Sequence, residues 1–198
     1  MKKVLLFSLV MASVVFSSQA QDKKMSIGIG FGGASASDKD DAGLKDSGFG
    51  INFYANVMYN LSSKLSVGLE YNGSGVVIGD FDGATTLKAT SINGNLLKAK
   101  YFLGEGRKKF FVGAMVGLYG IRPSLVIVDD LTGDVALTLD RKMSFGFAPE
   151  IGIHLGSFQI ATSYHFPGTY KSDFASVGNI KYSVWQFNIG WNIGLIDN

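Results

Sequence analysis

Four ionisable side chains, Glu70, Lys98, Lys100 and Glu150, sit inside segments that otherwise carry almost no charge. Two carboxylates in one site could share acid and base work, as in glycoside hydrolysis. Two ammonium groups beside them point instead to mutual neutralisation, because an unpaired charge is costly to bury. Ser163 and His165 are two residues apart and point the same way on a strand, the residue types of a hydroxyl nucleophile and its base. No acid can be placed behind that histidine from spacing alone, and such a constellation is recognised by geometry. His154 lies across a tight turn from Gln159 and reads as a hydrogen-bonded lining residue. The chain has no cysteine and only two histidines, set apart, so neither a metal site nor a cofactor is expected. No catalytic residue is assigned, and the reading is that the protein is not an enzyme.

Further acids cluster outside these segments. Asp38, Asp40 and Asp41 precede Gly43, Asp80 and Asp82 precede Gly83, and Asp129, Asp130 and Asp134 surround Gly133. The first group fails as a calcium loop, since Ala42 stands where an acid is needed and Phe49 replaces the closing Glu. The ordinary reading is solvated turn residues, and the sharper one is divalent cations bridging them to lipopolysaccharide. Gly28, Gly30 and Gly33 fit the spacing of a dinucleotide fingerprint. They lie within a strand pattern with no helix following, and the fingerprint requires that helix.

The elements that must position these residues are strands. Glycine makes up 26 of 198 residues, and charged residues make up 17%. Usual values are about 7% and about 25%. Residues 1–20 read as a cleaved secretory signal: Lys2 and Lys3, an apolar stretch, then small residues before Gln21. Removing them takes two of the 18 basic side chains and leaves 16 against 16 acidic ones, so residues 21–198 form one neutral domain. With no basic stripe, no nucleic-acid partner is expected. Eight segments then alternate with period two: 25–33, 48–60, 65–73, one ending at Leu103, 110–120, 144–155, 158–166 and 185–195. In the second, Phe49, Ile51, Phe53, Ala55, Val57 and Tyr59 oppose Gly50, Asn52, Tyr54, Asn56 and Met58.

Eight strands of this length suit a closed antiparallel barrel crossing a bilayer. Short connections at 61–64, 104–109 and 156–157 alternate with long ones at 35–47, 74–90, 121–142 and 167–180. That is the pattern of periplasmic turns and extracellular loops. The apolar faces carry no charge and bear Tyr59, Tyr71, Tyr101, Tyr164, Trp185 and Trp191 toward strand ends, where aromatic girdles belong. The Gly, Asn and Ser faces then line the lumen. Counting from the strand ends places Glu70, Lys98 and Glu150 at similar heights inside, with Lys100 just below. The β-prone stretches 124–128 and 135–139 predict a hairpin above the membrane.

The chain resembles the small eight-stranded outer-membrane barrels of the OmpA/OmpX type, and more narrowly the outer membrane protein beta-barrel family common in Bacteroidetes. The residues that carry the likeness are Gly68-Leu69-Glu70-Tyr71, Leu97-Lys98-Ala99-Lys100-Tyr101-Phe102, Phe110-Phe111-Val112-Gly113-Ala114 and Phe145-Gly146-Phe147-Ala148-Pro149-Glu150-Ile151-Gly152. The likeness spans the whole chain after the signal. Barrels of this type often finish on an aromatic residue, whereas this chain finishes on Ile196-Asp197-Asn198. The resulting expectation is an all-β, eight-stranded up-and-down barrel in the Gram-negative outer membrane. It is monomeric, in contact with lipid and lipopolysaccharide, with a closed salt-bridged lumen. The loop between Ile121 and Lys142 is expected to meet a surface protein partner. The alternatives are a narrow ion or small-solute channel and a lipid-A-modifying enzyme.

Overall fold

The computed structural model describes residues 23–40, 43, 45–78, 86–104, 106–127, 135–171 and 179–197. The signal segment therefore lies outside the described residues. Nine strands are formed among those described: β1 (Lys23–Asp40), β2 (Lys45–Asn60), β3 (Leu65–Ile78), β4 (Thr86–Leu103), β5 (Lys108–Ile127), β6 (Val135–Thr138), β7 (Lys142–Leu155), β8 (Phe158–Lys171) and β9 (Asn179–Asp197). Eight of them form an antiparallel wall. Its order is β4-β3-β2-β1-β9-β8-β7-β5, and a β4–β5 ladder closes it. Closure removes the sheet edges that would otherwise expose unpaired backbone groups to lipid. The short β6 pairs only with the upper end of β5, from Ser124 opposite Thr138 to Ile127 opposite Val135. This is the predicted hairpin.

The strands run well beyond the predicted bounds. The first long loop, expected at 35–47, shrinks to the few residues between Asp40 and Lys45. The 167–180 connection likewise gives most of its length to β8 and β9. The cause is a reversal of faces along the wall. In the lower part, residues of the apolar face look outward: Ile51 is 76% and Phe49 71% exposed, values suited to lipid contact. From that level upward the inward-facing residues Ala34, Ala36, Val76, Ile78, Ile121, Tyr182 and Val184 pack as an apolar core. A soluble barrel thus continues the membrane barrel on the same strands, and its opposite phase reads as irregular sequence.

The short connections, at 61–64, between β4 and β5, and at 156–157, lie at the same end as the start of β1 and the end of β9. In the first, Ser62 Oγ accepts from the backbone N–H of Lys64 (3.2 Å) and Leu65 (3.1 Å). One seam is interrupted. Between β7 and β8 the ladder runs from Glu150 to Leu155 and then holds only where Phe147 faces Phe166. Pro149 has no N–H to donate there. Just above, the register of β8 against β9 slips between His165 and Gly168, and Gly168 takes a left-handed φ of 89°.

Candidate functional site

The lumen is the place where chemistry-bearing residues meet, and it is filled in three layers. In the middle layer Lys98 on β4 reaches both carboxylates. Its Nζ lies 2.6 Å from Glu70 Oε2 on β3 and 2.9 Å from Glu150 Oε1 on β7. Asn56 Nδ2 also donates to Glu70 Oε2 at 3.1 Å, and the ammonium sits 5.6 Å from the Tyr54 ring centre. All three charges are buried. Such a triad persists in a low-dielectric interior only because each charge has an opposite neighbour. Beside it, Gln186 and Asn72 exchange two amide hydrogen bonds of 2.9 Å, and Gln186 donates to Ser74 Oγ at 2.8 Å.

Lys100 behaves differently from the expected four-charge cluster. It is buried just below, yet it is in no ion pair among the described residues. Its Nζ donates to Gln159 Oε1 at 2.6 Å and lies 4.6 Å from the Phe111 ring centre. Strand parity says which face a lysine occupies, and its reach decides which partner it finds. His154 Nε2 shares the same Gln159 oxygen at 2.8 Å, as a lining residue should. This lower layer opens toward the turns as a cavity lined by Ser66, Lys100, Phe102, Lys109, His154 and Asn192.

Ser163 and His165 do meet: Oγ to Nε2 is 2.9 Å. The other ring nitrogen, Nδ1, faces the Tyr119 hydroxyl at 2.8 Å, where a triad would need an acid. All three side chains are buried, so the chain of hydroxyl, imidazole and phenol cross-links β8 to β5. Sequence reasoning missed Tyr119, Tyr54 and Gln186 as members of the network, and it placed Gln159 beside His154 without seeing that it also holds Lys100. The available signal was their inward parity on strands whose other inward positions are small. Two glycines explain why Tyr54 fits. A Cβ on Gly190 would come 2.0 Å from its hydroxyl oxygen, and one on Gly30 2.4 Å from its ring.

The upper layer is apolar, with Ile78, Ile92, Ile121, Tyr170, Tyr182 and Val184 closing the interior. The loop acids are distributed unlike the expectation. Asp38 belongs to β1, is buried on the lumen side opposite Tyr182, and is no solvated loop acid. The side chain of Asp40 and all of Asp41, Asp80, Asp82, Asp129, Asp130 and Asp134 lie outside the described residues. Among the described residues no group of three His, Asp or Glu side chains could hold a metal ion.

A family model for the outer membrane protein beta-barrel domain matches residues 4–192. The chain belongs to that family. Solved members of this architecture agree with the fold. The crystal structure of Ail, the attachment invasion locus protein of Yersinia pestis, superposes with a TM-score of 0.58 at 14% identity, covering 85% of this chain and 99% of that one. The same protein in complex with the heparin analogue sucrose octasulfate matches equally. Neisserial surface protein A gives a TM-score of 0.55 at 17% identity, covering 87% of this chain and 97% of that one. No curated protein sequence matches the chain. This outer membrane beta-barrel protein is accordingly placed in the Gram-negative outer membrane, with its apolar band in lipid.

Proposed function

We propose that this barrel is a non-conducting, non-catalytic envelope protein. Exported as a monomer after cleavage behind Ala20, it uses its closed lumen as a rigid support for the extracellular rim. The observation that carries the reading is that the lumen is filled at mid-depth by the Lys98 triad and above it by an apolar stopper, although its turn end opens as a cavity. A conducting pore needs a continuous polar path, and eight strands leave an interior only wide enough for side chains. Among the described residues the Ser163–His165–Tyr119 chain has no acid bonded to it and its three side chains are buried, which favours a structural role over lipid-A modification.

The rim is where contacts with a surface partner are made. The β5–β6 hairpin projects a strand with one unpaired edge, a geometry that extended peptide segments add to by backbone hydrogen bonding. Surface attachment of the kind named for the Yersinia barrel would use such a rim. The test is planar-bilayer recording of the purified barrel. No steady single-channel events above background are expected, and a reproducible unitary conductance would overturn the closed-lumen reading.

A further inference from the structure

Below the triad the lumen is richer in hydrogen-bond donors than in acceptors. Lys100 on β4, His154 on β7 and Asn192 on β9 all line the cavity at the turn end. All three converge on one atom, Gln159 Oε1 of β8: Lys100 Nζ lies 2.6 Å from it, His154 Nε2 2.8 Å and Asn192 Nδ2 3.5 Å. An amide oxygen has two lone pairs, so three donors already exceed what it can accept. The crowding fixes the orientation of the amide, because its nitrogen would face an ammonium if the group were turned. Gln159 Nε2, on the same amide, is buried without a hydrogen-bond partner. An ammonium has three N–H groups. Lys100 gives one to Gln159, and the Phe111 ring, 4.6 Å from Nζ, offers only the weak attraction of its face. Buried donors left without acceptors are costly. Register puts Lys109 of β5 directly opposite His154, and its half-buried side chain lines the same cavity.

Charge points the same way. Glu70, Glu150, Lys98 and Lys100 cancel within the lumen, and Lys109 adds one positive charge at the cavity. A water brings two donors of its own with the two lone pairs it offers, whereas an anion brings acceptors alone. The cavity measures about 40 Å³, and a water-sized guest takes about 10–15 Å³ on that scale, so it admits a group of about three heavy atoms and no sugar ring. We propose that the turn-end cavity is a binding site for a small monovalent anion of the carboxylate class. The anion accepts from the Lys100 ammonium, and Lys109 supplies the balancing charge. Such a carboxylate has two sources, a free anion or the chain itself, whose Glu105 in the β4–β5 connection lies outside the described residues. The occupant proposed is the free anion, and the experiment separates the two. The site lies below the triad and away from the rim, so it stands whether or not the rim binds a protein partner.

The experiment uses the whole barrel in micelles, with nitrogen-15 in its lysine side chains. Sodium acetate replaces sodium trimethylacetate at constant ionic strength and neutral pH, so that only the bulk of the carboxylate changes. The ammonium resonance of Lys100, assigned by its loss in K100R, shifts saturably with a midpoint of about 1–10 mM acetate. The resonances of the exposed Lys24, Lys64 and Lys108 show no saturable shift. K109Q raises the Lys100 midpoint about fivefold. E105Q leaves it where it is. The proposal is overturned if Lys100 shows no saturable shift in the wild type, which would leave the cavity to water. It is equally overturned if the exposed lysines shift with the same midpoint, or if K109Q, migrating as a folded barrel in unheated gels, leaves the midpoint unchanged. A response that appears only in E105Q overturns it as well, since Glu105 would then be the occupant.

Discussion

At the scale of single residues, Lys98 is the hinge of the interior. It is the only cation paired with Glu70 and Glu150 among the described residues, so removing it strands two buried carboxylates. Lys98→Met is expected to destabilise the barrel by about 3–5 kcal/mol, because one partner is lost and the others stay charged. Replacing all three, as E70Q/K98M/E150Q, should recover most of that loss. Urea midpoints of the barrel in detergent, followed by tryptophan fluorescence, check both. Equal midpoints for the wild type and K98M would mean the pairing contributes nothing. Packing at Tyr54 gives a second test. Gly190→Val drives a side chain into the Tyr54 hydroxyl and toward the Ile29 carbonyl at 2.7 Å, and should cost about 1–3 kcal/mol. Adding Tyr54→Phe should return part of it, since only one of the two collisions is relieved. Sequence parity had already put Glu70, Lys98 and Glu150 on one face at one depth. It could not see that Lys100 would turn to Gln159, or that Tyr119 would stand behind His165, because those depend on side-chain reach across the lumen.

At the scale of elements, the ladders are unequal. β1 and β9 stay in register from Ser26 to Asp40, whereas β7 and β8 lose their ladder above Pro149. Amides of residues 143–146 and 168–171 are therefore expected to exchange with deuterium faster than those of 28–36 in micelles, because each segment has a continuous ladder with one neighbour, β5 or β9, and none across the β7–β8 seam. Uniform protection around the wall would contradict this. Among the described strands β6 pairs with β5 alone, so deleting residues 128–138 should leave the unfolding free energy within about 1 kcal/mol of the full chain's. A large loss would make the hairpin part of the apolar stopper, to which Leu139 already contributes. The eight wall strands were legible because lipid-facing alternation such as Phe49-Ile51-Phe53 is strong. Their upper extensions were not, because Val76, Ile78, Tyr182 and Val184 place apolar residues on the opposite parity. A reader following one phase along the strand sees the pattern end where it only inverts.

At the scale of the whole molecule, the barrel joins two solvents' architectures on one set of strands. Its lower wall is apolar outside and polar within, and its upper wall is polar outside and apolar within. The point of inversion over β2, β1 and β9 is the row of Ser47, Ser37 and Ser183, between Phe49 and Trp185 below and the exposed Lys45, Lys39 and Lys181 above. This fixes how deeply the protein can ride. Sinking by one outward row, about 5 Å along the normal for a tilted strand, would draw three ammonium groups toward the acyl region. Rising by the same step would expose Phe49 and Trp185 to water. The barrel cannot trade height for comfort as a uniformly apolar cylinder can, so in a bilayer too thin or too thick the lipid must do the adjusting. Around this wall the membrane is expected to take its thickness from the protein, which would then act as a ruler for the leaflet it inhabits.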